Sequence, residues 1–381
     1  MRSYLDFNAT QPPLPEVVAA VAEAVSAGLG NPASPHEEGR RARAMIEEAR
    51  RSVELLLGAA QNEVVFTSGG TEANAAAVWG LVAAPGALAG RTLLLSAVEH
   101  PAVRAMAEAL ARHGVIVVTV PVRGDGIVDL SALEALLAKH QGATLALQLA
   151  NSETGVVQPL REAGALAARY GAALHCDAVQ AAGKVAIASG SLGVATLAVS
   201  GHKFGAPPGV GALVVRREAL APLIPGTQEA HRRGGTENLP GIVGMGVAAR
   251  LAQAHLPEWQ RVEQLRDRFE REVLVGAPRV TVHGVGAPRL ANTSCLGLPP
   301  GCTGGEIVAA LDLDGYAVSA GPACSSGAER PSPTIEAMGF GDGASRRTLR
   351  VSLGLGTGEG DVLGLAAALV RVLRQSKGVR R

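Results

Sequence analysis

Between Glu63 and about Arg216 the chain alternates two hydrophobic patterns. Short runs that are apolar at nearly every position, EVVFTS, TLLLSAVE, VIVVTV, TLALQLA, AALHCDA, TLAVSG and GALVVR, have the character of strands covered on both faces. The segments between them, such as PAVRAMAEALARHG and DLSALEALLAKHQ, repeat apolar residues at helical spacing. Strand, helix and strand in series demand right-handed crossovers, and so an α/β protein with a mainly parallel seven-stranded sheet.

Two helices are predicted ahead of this block. One is PEVVAAVAEAVSAGL, with Pro15 in its first turn; the other is charged and runs from about His36 to Leu57, where Gly58 ends it. Behind the block, a helical pattern from about Pro240 leads into LPEWQRVEQLRDRFEREVL, whose dense charge predicts a long, partly solvated connector. A second βαβ-like series follows: RVTVHG, NTSCLGL, the GGEIVAALD helix, YAVSAG, TLRVSLG and a last helix. The expected division is a large domain over residues 15–255 and a smaller α/β domain made of residues 1–14 and 256–381.

Composition narrows the function classes. The 381 residues are 47% hydrophobic and 18% charged, with a net charge of +1 spread along the chain. Nothing electrostatic favours direct nucleic-acid binding or an anionic membrane. The N-terminus lacks the apolar stretch of a signal peptide, and no apolar run reaches bilayer length, which points to a cytoplasmic protein acting on small molecules or protein surfaces. Four cysteines, Cys176, Cys295, Cys302 and Cys324, have no CxxC spacing, so neither a disulfide framework nor a metal site is indicated. A special cysteine here would be a reactive one.

There are only four lysines: Lys139, Lys184, Lys203 and Lys377. Lys139 ends a charged helix, Lys377 lies in a polar tail, and Lys184 follows DAVQAAG in a loop. Lys203, in SGHKFGAPPGVGAL, stands just after an apolar strand and before a glycine- and proline-rich turn, where a sheet presents chemistry. A lysine holding pyridoxal phosphate (PLP) as a Schiff base needs a phosphate cradle, a carboxylate for the pyridinium nitrogen and a group on the ring face. Each has a candidate at a strand end. In TSGGTEAN the backbone amides around Gly70, with Thr71, open a helix and could take the phosphate, although an ordinary glycine-rich turn reads the same way. Asp177 in HCDAVQ ends a buried strand, a costly place for a carboxylate without a partner; a helix N-cap or an internal ion pair would serve equally. Gln180 could reach the phenolic oxygen, and His100 in VEHPAV could lie on the ring or be structural.

Together these segments resemble the class V aminotransferases of the fold-type I PLP-dependent transferases, and among them the cysteine desulfurases of the NifS and IscS kind. The likeness runs in order from YLDFNAT through GNPASPHEEGRRAR, FTSGGTEAN, EHPAV, NSETGVVQP, HCDAVQAAGK, SGHKFGAPPGVGAL and RRGGTEN to SAGPACSSG and LRVSLG. It implies that Lys203 carries the cofactor and takes the α-proton, that Asp177 and Gln180 hold the ring, and that His100 stacks on it and moves protons. It further implies phosphate binding by Thr71, Ser200 and His202, with Thr236 reaching in from the partner subunit of a homodimer. Asn151 and Arg350 would hold the substrate carboxylate. The implied reaction removes sulfur from L-cysteine, with Cys324 as the nucleophile that becomes a persulfide and L-alanine as the product.

Where the family usually has serine, Pro322 stands two residues before Cys324; proline fixes φ and removes an amide donor, which stiffens the cysteine loop. Cys176 and Cys295 lie in apolar strands and read as core, while Cys302, in PPGCTGG, lies on a loop and stays open as a reactive thiol. Selenocysteine lyase, another class V reaction or a non-catalytic scaffold are the competing functions. The sulfur acceptor, whether an iron–sulfur scaffold, a tRNA-thiolation enzyme or a sulfur carrier, is not specified.

Overall fold

The computed structural model describes residues 2–28, 30–83, 88–216, 220–321 and 331–375. After β1 (Ser3–Tyr4) come α1 (Pro15–Ser26) and α2 (Glu37–Leu57), followed by an alternating series. That series is β2 (Val64–Thr67), α3 (Gly70–Val82), β3 (Thr92–Ser96), α4 (Pro101–Ala111), β4 (Ile116–Val120), α5 (Leu130–Lys139), β5 (Thr144–Gln148), α6 (Leu160–Arg169), β6 (Ala173–Asp177), β7 (Thr196–Ser200) and β8 (Gly211–Val215). Pro15 occupies the first turn of α1, and Gly58 ends α2 in the left-handed conformation at φ 57°.

The expected seven-stranded sheet is present, in the order β2-β8-β7-β6-β5-β3-β4. Pairs β3–β4, β3–β5, β5–β6 and β6–β7 are parallel, and β8 runs against both its neighbours. Two reversals restore direction, so β2 points the same way as β7. The carboxyl ends of β2, β3, β5, β6 and β7 therefore gather along one edge of the sheet, where α/β folds place their ligands. The strands β2, β5, β7 and β8 are buried at every position, as their unbroken apolar runs require. β4 departs from that expectation. It is the edge strand, and Ile116 and Thr119 lie exposed on it.

The chain continues through α7 (Leu239–Ala254), α8 (Trp259–Gly276), β9 (Thr281–Val282), β10 (Thr293–Gly297), α9 (Gly304–Leu313), β11 (Tyr316–Ala317), α10 (Pro333–Ala337), α11 (Asp342–Ser345), β12 (Thr348–Ser352) and α12 (Glu359–Gln375). α7 packs on α1 and α2 and closes the main core over one face of the large sheet. A second core gathers Leu5, Trp259, Phe269, Leu296, Val351 and Leu369. α8 is more than the solvated connector its charge suggested. Trp259, Val262, Phe269 and Val273 are buried in the second core on a helix packed against α12, and Arg266 and Glu270 are buried beside them, bonded to the Leu290 carbonyl and to Arg289 respectively.

The second series is also not a parallel βαβ unit. β12, β10 and β9 form an antiparallel sheet, while β11 pairs in parallel with β1 at the other end of the chain. The strand patterns are readable from the sequence, but the pairing of β11 with β1 is a contact across the chain that the local pattern does not reveal. Among the described residues no helix is long and apolar enough to cross a membrane.

Candidate active site

Asp177 is the last residue of β6 and is almost wholly buried. Its Oδ1 accepts from the amide of Val179 at 2.9 Å, and its Oδ2 from Asn74 Nδ2 at 2.8 Å. The Oδ1 of Asn74 in turn meets His175 Nε2 at 2.9 Å, and His175 Nδ1 meets Thr196 Oγ1 at 3.0 Å. This relay runs from α3 to β7 beneath the carboxylate and fixes its plane. Burial pushes the Asp177 carboxyl up, against the pull of His100 and Lys203. A buried carboxylate bonded by the Val179 amide and the Asn74 side chain is suited to a cationic ligand atom.

Lys203 ends a single 3₁₀ turn, Gly201–Lys203, that follows β7. Its Nζ donates to the carbonyls of Asn8 at 2.6 Å and Ala9 at 2.8 Å. Gln180 Nε2 donates to the same Asn8 carbonyl at 3.0 Å. Asn8 is thus a hub between the two cores: its side chain also bonds Thr293 Oγ1, Asn292 Nδ2 and the Ser152 carbonyl.

His100 caps α4, with Nδ1 accepting from Ala102 N at 3.1 Å. That bond selects the Nε2–H tautomer. Burial lowers its pKa, Asp177 pulling it back up and Lys203 adding to the fall. His202 Nδ1 lies 3.1 Å from Thr10 Oγ1, and burial beside Lys203 and Lys184 takes its pKa down to about 4. Both imidazoles are therefore neutral near pH 7. A Cβ added to Gly70, the first residue of α3, would come within 2.8 Å of Val179 Cγ2 and 3.1 Å of Ser200 Cβ. No side chain caps α3, so its first amides are open to an anion above Ser200. Thr71 is exposed at this end. A planar ligand with a phosphate at one end and a basic ring nitrogen at the other fits this donor set.

Arg350, in the middle of β12, is buried. Its Nη2 donates to Asp6 Oδ1 at 2.7 Å and its Nη1 to the Ser152 carbonyl at 3.2 Å, while its buried Nε has no partner among the described residues. Asn151 follows β5 and spends its Oδ1 on the turn, accepting from Glu153 N and Thr154 N at 2.9 Å each. Its Nδ2 lies 3.3 Å from the Val98 carbonyl and 3.5 Å from Thr334 Oγ1.

Thr236 is exposed and is not grouped with these residues. Cys324 and Pro322 lie outside the described residues. Cys302, left open as a reactive thiol, is packed at 2% exposure in the second core, because the PPGCTGG loop folds inward ahead of α9. Asn74, His175, Asp6, Asn8 and Lys184 were not singled out for the site. Asn74 and His175 lay inside quoted motifs, one helical turn or one strand pair from the chosen residues, and that spacing was a usable signal.

A model of the aminotransferase class-V family matches residues 3–365. The chain belongs to that family. It is 41% identical to a cysteine desulfurase of Cereibacter sphaeroides over 99% of this chain and 97% of that protein. It is 37% identical to the cysteine desulfurase IscS of Dictyoglomus turgidum over 99% and 95%. Among solved structures it resembles a NifS-like protein with TM-score 0.90 and 29% identity, over 98% of this chain and 99% of that one.

Proposed function

We propose that the protein is a pyridoxal-phosphate-dependent cysteine desulfurase, converting L-cysteine to L-alanine with transfer of the sulfur to Cys324. The observation that carries this reading is the meeting of Lys203, His100 and Asp177 at one sheet edge, in a chain 41% identical to a cysteine desulfurase over 99% of its length. When bound, pyridoxal phosphate supplies a carbonyl that condenses with amines and a ring that draws electrons from the substrate's α-carbon.

The chain's own residues divide the remaining work. Asp177 would hold the proton on the ring nitrogen, Gln180 would donate to the phenolic oxygen, and the amides of Gly70 and Thr71, with Ser200 and His202, would bind the phosphate. Lys203 would be the covalent anchor, and its Nζ, when free, would take the substrate's α-proton. Neutral His100, with Nδ1 committed to Ala102, covers the ring and presents Nε2–H for proton transfer. Arg350 and the Nδ2 of Asn151 orient the substrate carboxylate. The Cys324 thiolate then attacks the substrate sulfur. An S–S bond would form as the Cβ–S bond breaks with its electron pair left on Cβ; a proton at Cβ, and return of the α-proton to Cα by Lys203, would complete alanine.

The proposed assembly is a homodimer in which the exposed Thr236 serves the partner's phosphate site, working in the cytoplasm where thiols stay reduced. The persulfide would pass to an iron–sulfur scaffold, a tRNA-thiolation enzyme or a sulfur carrier. The test is stoichiometric release of alanine and sulfide from L-cysteine with dithiothreitol. Undiminished turnover in Cys324→Ala would sink the assigned nucleophile.

A further inference from the structure

Lys184 is a second lysine buried beside the site, and the proposed reaction does not use it. It lies in the turn after β6 at 4% exposure. Its Nζ donates to the Gln180 carbonyl at 2.9 Å and to Gln180 Oε1 at 3.4 Å. On the other side, Gln180 Nε2 donates to the Asn8 carbonyl that also accepts from Lys203.

An amide side chain can be turned by half a revolution, exchanging oxygen for NH₂. Here the exchange would point NH₂ at the donors of Lys184 and Oε1 at the Asn8 carbonyl, replacing two hydrogen bonds by two repulsions. Lysine offers only donors when charged, so it admits only the oxygen. Burial, with Lys203 and Arg350 as neighbouring cations, brings its pKa down to about 7. The neutral amine still keeps two hydrogens for two acceptors. An apolar side chain of similar volume would fill the same space at less desolvation cost, so the donor is what lysine contributes.

We propose that Lys184 is a positioning residue that locks the Gln180 amide, through Oε1, with Nε2 turned toward Asn8 and Lys203, where it can donate to the phenolic oxygen of the cofactor. The inference rests on the pyridoxal-phosphate reading of Gln180.

The experiment follows the visible absorption of the cofactor-loaded enzyme as a function of pH, together with thermal stability, in Lys184→Met, Gln180→Leu and the double variant. The expected result is that both single variants displace the spectral midpoint in the same direction, that the double is displaced no further than Gln180→Leu, and that the melting midpoint of Lys184→Met is not lowered. Lys184→Gln, which keeps an N–H donor, restores the wild-type spectrum. An additive double variant, or a wild-type midpoint in Lys184→Met alongside a displaced one in Gln180→Leu, overturns the proposal. Should Lys184→Met not fold, Lys184→Gln decides alone: a wild-type midpoint supports the lock and a displaced one overturns it. A wild-type protein that develops no visible band with added pyridoxal phosphate sinks the cofactor reading and this inference with it; a band indifferent to Lys184 sinks only this inference.

Discussion

Arg350 Nη2 and Asp6 Oδ1 stand 2.7 Å apart, an ion pair between residues 344 positions apart in the chain. The carboxylate comes from the N-terminal segment that bridges to β12 at Ser352, and it leaves the Nε of Arg350 buried without a partner among the described residues. The guanidinium is thus oriented before substrate arrives.

Arg350→Lys keeps the charge and loses the fork. Loss of one charge-assisted hydrogen bond, about 1.5 kcal/mol, corresponds to roughly a tenfold rise in KM for L-cysteine, with a smaller effect on kcat. Asp6→Asn instead leaves the Arg350 charge buried without its carboxylate, which costs about 3 kcal/mol of stability. Steady-state kinetics and urea denaturation separate the two; a Asp6→Asn protein as stable as wild type would contradict the pairing argument.

Asp177→Asn preserves shape but has one accepting oxygen where the carboxylate has two, so it keeps the bond from Asn74 or the one from the Val179 amide and not both. It removes the negative charge that, on the proposed reading, faces the ring nitrogen. The expected outcome is near-normal cofactor content with kcat reduced by about a hundredfold or more. Cofactor absorbance and initial rates on one preparation check both halves.

Burial between Thr196 and Asn74 takes the pKa of His175 down to about 3 from its ordinary 6.5. The unfolded chain therefore binds a proton that the folded protein refuses between these values. This contribution to stability is complete above about pH 6.5 and is lost as pH falls toward 3. Glu99 acts in the opposite sense. Burial raises its carboxyl to about 8, so its contribution is complete below about pH 4.5 and is lost as pH rises through 8. The difference in unfolding free energy between wild type and His175→Gln isolates the histidine, and it should shrink on going from pH 7 to pH 5. A difference constant with pH would refute the assignment.

Cys176, Cys295 and Cys302 are all buried, and burial pushes the thiols of Cys176 and Cys295 up. Alkylation of the native protein with iodoacetamide should add one equivalent, and Cys324→Ser should take up none. Mass spectrometry of the intact chain reads both.

Gly70→Ala places a methyl group 2.8 Å from Val179 Cγ2 and 3.1 Å from Ser200 Cβ. Overpacking of this kind costs about 1–3 kcal/mol, and the displaced α3 amides should weaken cofactor binding at the same time. A cofactor titration and a melting curve test the two consequences.

Much of the site was legible because it sits at ends of strands. Lys203, His100 and Asp177 each follow an apolar run, and a sheet with parallel strands must bring such ends to one edge. DAVQAAGK reads locally as a loop, which gives Lys184 no special place. Its burial comes from the packing of that turn beneath Asn8, supplied by a segment some 170 residues earlier. Cys302, also on a loop in the sequence, is buried in the same way.

Hydrophobic periodicity alone determined the alternating strands and helices and the chemistry each strand end offers, since both are local properties of the backbone and its side-chain spacing. Tertiary structure alone decided which ends meet their supports. The Asn8 hub and the Asp6–Arg350 pair bring the chain's beginning against β12 and the turn after β6. Pairings of that kind leave no period in the sequence, because they exist only once the two cores have closed around the N-terminal strand.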